Sequence, residues 1–395
     1  MRLIYFLPDV DAGVSRIVKN LLNYRPVNSD IFYEVVLFSC KEDKTIIVAG
    51  TDFKADKIHR FIYSKYENIW NVFKRMASYI KSENDIIVSN DGFEVKMAVA
   101  LKLLNPIAYI LHGDFSYYYS IIKPYQFDID CFIVYSNKMQ VELNKILDKT
   151  INDKLWKIYY PLAFLSQKKI NIKIDSKILK IVFAGYLIER KGVDLLPAIY
   201  DLLIEKGMKN FELEIIGDGE LFKMLNNKFV GVNNVRLSGW QTNSYVIKRM
   251  QEADIFLFPS RLEGLPNVVL EALEAGAVPI CNKNTSGIND VLWDGKNGLL
   301  TKTDDPLEFA NAIFKLYDEQ SLLNNLKQNS YLSLNQFEPN TQARLYEETI
   351  LSCKRKYSNN KMGFSKYKRG RILDRAWLPN KFVILLRKFL KDSRF

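Results

Sequence analysis

Short runs of β-branched and aromatic residues alternate along this chain with stretches whose apolar residues recur every three or four positions. In the first half the runs fall at Leu3–Leu7, Val35–Phe38, Ile86–Ser89, Ala108–Leu111, Phe132–Tyr135 and Lys157–Tyr160. Between them the spacing predicts helices near Ser15–Asn23, Ile69–Ser82, Glu94–Leu104 and Lys138–Leu147. Strands with no polar face, each followed by an amphipathic helix, are the mark of a parallel sheet covered on both sides. One doubly wound domain is therefore expected over 1–165. A Lys- and Ile-rich linker follows at 167–177, and a second domain over 178–338 restarts at Ile181–Ala184. It continues with a helix from Gly192 and strands at Leu213–Ile216, Val235–Leu237, Ile255–Phe258 and Val278–Cys281. A helix over Thr341–Ser352, within a segment 339–353, and a tail over 354–395 complete the division.

The most informative stretch runs from Ala253 to Gly276. Its apolar strand breaks at Pro259 and Ser260, a loop carries Glu263 and Gly264, and Pro266 opens a helical segment containing Glu271. The positive end of a helix and the free amides before it hold anions, here through Gly264 and Leu265. A carboxylate on each side accepts hydrogen bonds from hydroxyls. That combination suits a diphosphate linked to sugars.

The segment resembles the E-x7-E signature of retaining glycosyltransferases of the GT-B fold, in the family-4 or "glycosyl transferases group 1" type. The resemblance implies two Rossmann-like domains with an interdomain cleft and a helix over 339–353 that crosses back to the first domain. It assigns Glu263 to donor-sugar hydroxyls and Glu271 to the nucleotide ribose. Phe183-Ala-Gly185-Tyr-Leu-Ile-Glu-Arg190-Lys191-Gly192 is similar to the family's diphosphate-gripping step, and Ile215-Ile-Gly217-Asp-Gly219 to its turn near the base. His112, in His-Gly-Asp after a strand, matches the histidine beside the reacting carbon, and Asp114 with Tyr117–Tyr119 is expected to shape the acceptor pocket. Gly13 stands where the family faces the donor phosphates. The implied catalytic set is His112, Lys191 and Glu263. The implied donor-binding set is Gly13, Gly185, Arg190, Lys191, Gly217, Gly264, Leu265, Pro266, Asn267 and Glu271.

Tyr186 stands where the family carries an arginine, so Arg190 is expected to supply the missing charge. Asp290 replaces a glutamate in Gly287-Ile-Asn-Asp290, and a single Gly13 follows Ala12 in place of a Gly-Gly pair. Asp9-Val-Asp11 and Asp128-Ile-Asp130 match a metal-binding D-x-D pattern, but three-residue matches arise by chance. No metal and no cofactor beyond the nucleotide-sugar co-substrate is expected. The expected reaction is sugar transfer to a hydroxyl of a glycan or lipid-linked acceptor in surface polysaccharide or glycolipid synthesis. The alternatives are a GT-B nucleotide-sugar epimerase, or a non-catalytic partner subunit that binds nucleotide-sugar.

Charge alters this picture in one place. The net charge is +11, yet residues 354–395 hold fourteen Lys and Arg against Asp374 and Asp392, leaving the remaining 353 residues at −1. The body offers no basic face for nucleic acid. Within the tail Phe382, Leu385, Leu386, Phe389 and Leu390 share one helical stripe flanked by Lys381, Lys388 and Lys391. Such a stripe after the basic segment 361–371 predicts either an anchor on an anionic membrane or a face packed on the first domain. The N-terminus reads as a buried strand rather than a signal peptide, no run is long enough to span a bilayer, and four scattered cysteines fit a reducing cytosol. The expected location is cytoplasmic, at the inner face of the membrane if the tail binds lipid.

Overall fold

A computed structural model describes residues 1–11, 13–27, 30–43, 48–162, 178–283, 287–302, 304–353 and 372–390. By its contacts the chain separates into two units, one of residues 1–135, 139–161 and 339–395, the other of 136–138 and 162–338.

In the first unit the strands are β1 (Arg2–Pro8), β2 (Phe32–Cys40), β3 (Lys57–Tyr63), β4 (Ile86–Ser89), β5 (Ile107–Ile110), β6 (Cys131–Val134) and β7 (Leu155–Lys157). All pair in parallel, in the order β3-β2-β1-β4-β5-β6-β7. The helices are α1 (Gly13–Asn23), α2 (Ile69–Ala77), α3 (Phe93–Leu101), α4 (Ser116–Tyr125) and α5 (Asn137–Ile146). Every residue of β4, β5 and β6 is buried, as a strand covered on both faces must be.

Four elements differ from the sequence expectation. β3 and α4 were not anticipated. β3 is an edge strand paired only with β2, and it carries Lys57, His59 and Arg60 in place of an apolar run. α2 stops at Ala77 rather than Ser82, and the Lys81 and Ser82 amides donate to Asp85 Oδ2 at 2.8 and 2.9 Å. The strand expected over Lys157–Tyr160 ends at Lys157.

In the second unit the strands are β8 (Leu179–Ala184), β9 (Phe211–Ile216), β10 (Val235–Gly239), β11 (Ile255–Phe258), β12 (Val278–Asn282) and β13 (Leu299–Thr301). They form a parallel sheet in the order β10-β9-β8-β11-β12-β13. The helices are α6 (Leu196–Glu205), α7 (Phe222–Phe229), α8 (Asn243–Glu252), α9 (Asn267–Ala275), α10 (Ile288–Val291), α11 (Pro306–Asp318) and α12 (Gln320–Asn329). Instead of a helix from Gly192, two short 3-10 turns precede α6, which begins beside Pro197. Two more helices, α13 (Pro339–Ser352) and α14 (Asn380–Phe389), belong to the first unit. Buried Tyr346 of α13 donates to the Ile158 carbonyl at 3.2 Å, and the Tyr33 hydroxyl donates to Glu347. The linker expected at 167–177 and the basic segment 361–371 lie outside the described residues.

Each sheet has a point where the chain reverses its direction of winding: between β1 and β4 in the first unit, and between β8 and β11 in the second. Loops leaving the carboxyl ends of such neighbours diverge to opposite faces and leave a crevice, where α/β domains hold ligands.

Candidate active site

The loop after β8 and the loop after β11 meet at the reversal in the second unit. Lys191 Nζ is 2.5 Å from Glu263 Oε1, and both side chains are only 13% exposed. Ser260 Oγ donates to the same oxygen at 2.8 Å, and Arg190 Nη1 lies 3.3 Å away. Arg190 Nη1 also donates to the Leu262 carbonyl at 2.7 Å. The Lys191 ammonium stands 5.4 Å from the centre of the Phe258 ring, a favourable place for a cation. Three donors thus converge on one carboxylate oxygen, with two positive charges at the mouth of the sheet.

The two loops are tied at the backbone. The Arg261 amide donates to the Arg190 carbonyl at 2.9 Å, and its guanidinium grips Asp194 at 2.7 and 2.8 Å and also donates to the Glu189 carbonyl. That pairing raises the Arg261 pKa and lowers that of Asp194, so both stay charged. Gly192 turns the first loop at φ +68, and a Cβ there would lie 2.2 Å from the Pro259 carbonyl oxygen. Gly217 packs against Gly185 just as tightly, its Cβ position 1.9 Å from the Gly185 oxygen. These close approaches let the strand ends converge.

α9 starts directly after this loop, at Asn267, with Pro266 as its cap. The Val269 and Leu270 amides donate to the Pro266 carbonyl at 3.0 and 3.4 Å, and the positive end of the helix follows Gly264 and Leu265. Asn267 Oδ1 is buried without a hydrogen-bond partner among the described residues, an acceptor waiting for a donor. Glu271 is buried and is the fifth residue of α9, at the start of its second turn. Tyr186 is 58% exposed and brings no charge. Asp290 accepts from the Asn137 amide at 2.8 Å and from its side chain at 3.0 Å.

His112 and Gly13 belong to the first unit. His112 follows β5, and Gly13 is the first residue of α1. Asn90, after β4, donates through Nδ2 to the Phe6 carbonyl at 2.9 Å and the Val88 carbonyl at 3.3 Å, which turns its oxygen to the imidazole. His112 Nε2 is 2.8 Å from that oxygen, so Nε2 carries the proton and Nδ1 is the bare acceptor. Nδ1 is buried and has no partner among the described residues. Burial alone lowers the His112 pKa to about 3, and the ring is neutral at physiological pH. An uncharged acceptor suits a hydroxyl.

Behind it, buried Glu94 accepts from the Asn90 and Asp91 amides at 2.7 and 3.2 Å, and burial, then the charge of Asp91, raises its pKa to about 7. Tyr117 donates to Asp91 at 3.2 Å and Tyr119 to Asp114 at 2.7 Å. Arg261, Asn90 and Glu94 were not singled out from sequence, where no local pattern marks them, and Ser260 was read only as the end of a strand. Asp9 pairs with Arg60 at 3.0 Å and accepts from the Ala49 amide, and Asp130 accepts from the Ile107 amide.

Two doubly wound units, with paired cations and an acid at the reversal of the second, define the GT-B class of glycosyltransferase fold. Residues 166–333 match the family model described as "Glycosyl transferases group 1". An uncharacterized glycosyltransferase of Methanocaldococcus jannaschii is 32% identical over 152 residues, 38% of this chain and 41% of that protein. The lipopolysaccharide core biosynthesis glycosyltransferase LpsE of Rhizobium meliloti is 28% identical over 182 residues, 43% of this chain and 48% of its own length. The chain thus spans less than half the length of these two relatives. Among solved structures, Anabaena HepE in complex with UDP and glucose superposes with a TM-score of 0.69 at 16% identity, covering 89% of this chain and 99% of that one.

Proposed function

We propose that this chain is a retaining glycosyltransferase. It moves a sugar from a nucleoside diphosphate to a hydroxyl of a glycan or lipid-linked acceptor, in surface polysaccharide or glycolipid synthesis. The observation that carries the reading is the convergence of Lys191, Arg190 and Ser260 on Glu263 beside the start of α9.

Diphosphate oxygens bind between the two cations and the first-turn amides of α9, while Glu263 accepts from donor-sugar hydroxyls and Glu271 from the ribose. The bond between the anomeric carbon and the β-phosphate oxygen breaks, leaving negative charge on that oxygen. The acceptor oxygen bonds to the anomeric carbon on the same face, and its proton passes to the departing phosphate. Lys191 and Arg190 stabilise the charge where it develops, the largest lever open to such a site. Cationic side chains do here what a metal ion does elsewhere, so no metal is proposed. His112 Nδ1 accepts from a sugar hydroxyl, and Asp91, Asp114, Tyr117 and Tyr119 offer polar contacts to the acceptor.

A thermal-shift screen of UDP-, GDP- and ADP-sugars identifies the donor, and Glu271→Ala should abolish the shift while the free protein still unfolds in one cooperative transition. An equal shift in wild type and variant would remove Glu271 from the donor site. The exposed, uncharged Tyr186 favours one competing reading, a subunit that binds nucleotide-sugar without turnover. Transfer to any acceptor excludes it.

A further inference from the structure

α14 docks on the first unit through the side the sequence did not single out. Val383 and Arg387 are wholly buried, and Arg387 donates to the Glu67 carbonyl at 2.7 Å and pairs with Asp374 at 3.1 Å. Asn68, the cap of α2, donates its amide to Asn380 Oδ1 at 2.8 Å and its side chain to the Arg375 and Leu378 carbonyls at 2.8 and 3.0 Å. Burying a guanidinium is costly unless it is paired in this way. A helix docked only for its own stability would turn its phenylalanines and leucines inward. This one buries an arginine and leaves Phe382, Leu385, Phe389 and Leu390 outside, Leu385 at 69% exposure and Phe389 at 84%. Trp377 and Ile372, just before the helix, are also exposed.

We propose that the outward face of α14, with Trp377, is a docking surface for an anionic lipid bilayer. Its apolar side chains enter the boundary between headgroups and acyl chains, as those of an amphipathic interfacial helix do. Exposed Lys381 and Lys388 reach the headgroup phosphates. The charge argues against a second copy of this chain as occupant. Pairing two such faces would bring Lys381 and Lys388 of both copies together, whereas an anionic membrane is complementary. The buried lock sets the helix on the folded body, so the apolar side chains are displayed before any lipid is met and less ordering is lost on binding.

Docking of this kind does not depend on sugar transfer, and the two are measured separately. The full chain is sedimented with vesicles of phosphatidylglycerol and phosphatidylcholine, and with phosphatidylcholine alone. It should bind the anionic vesicles and be released by salt. Leu385→Glu with Phe389→Glu should weaken binding about tenfold or more while the melting temperature stays the same, because both positions are exposed. Lys381→Glu with Lys388→Glu should weaken binding and flatten its salt dependence. The proposal is overturned if wild type stays in the supernatant with anionic vesicles at low salt, or if the Leu385/Phe389 variant sediments like wild type. It is equally overturned if light scattering shows a dimer that this variant dissociates while neither protein binds vesicles.

Discussion

Replacing Lys191 with methionine removes an ammonium and keeps most of the stem, so the substitution isolates charge. In the free protein that ammonium is 2.5 Å from Glu263, at side-chain exposures of 13% for both groups. In the proposed reaction it faces a phosphate oxygen that gains negative charge as the sugar leaves. Two unit charges about 4 Å apart at an effective dielectric near 20 attract by about 4 kcal/mol. Glu263 draws on the same ammonium and Arg190 shares the phosphate, so about half to all of that value is expected to be lost. At 1.36 kcal/mol per decade this is a fall of about thirtyfold to a thousandfold in kcat. The β-phosphate gains charge as the bond breaks, so kcat should fall, and kcat/KM should fall at least as far because the same ammonium also holds the ground-state diphosphate. Glu263 retains Ser260 at 2.8 Å and Arg190 at 3.3 Å, so the fold should survive. Initial rates over donor concentration, with thermal unfolding of the same preparations, make the measurement. A variant whose whole defect lies in KM, with kcat unchanged, would refute a role in stabilising the leaving phosphate.

Two other perturbations follow from the same geometry. Gly192→Ala places a Cβ 2.2 Å from the Pro259 carbonyl oxygen at φ +68, so a loss of about 2 kcal/mol or more is expected as a lower urea midpoint, with weaker donor binding as the two loops part. Buried Glu94, its pKa raised to about 7, holds a proton in the folded chain that the unfolded chain has released above its ordinary value near 4.5. Between these values the folded state binds more protons, so this group lowers stability as pH rises. Glu94→Gln should gain on wild type by about 3 kcal/mol in all between pH 4.5 and 7, and a pH-independent difference would refute the assignment.

Much of the second unit was legible in one dimension because its signals are local. β11, the break at Pro259 and Ser260, Glu263 and the helix with Glu271 follow one another within a single stretch of chain. A buried strand declares itself as an apolar run because both of its faces are covered. Edge strand β3 went unseen because charged residues interrupt its run, and β13 because it is only three residues long.

What the chain order alone determined was the class of fold and the candidates for a diphosphate-binding site. What the tertiary structure decided was which of them meet. Arg190 and Lys191 reach Glu263 only because β8 and β11 are neighbours where the winding reverses, and Asn90 fixes the proton on His112 only because β4 lies beside β5. The same holds for α14. Its apolar stripe can be read from periodicity, but the side that docks was settled by Glu67, Asn68 and Asp374, and the first two are more than three hundred positions from Arg387 and Asn380. Periodicity reports what one element carries on each face; which face is covered depends on partners brought from elsewhere in the chain.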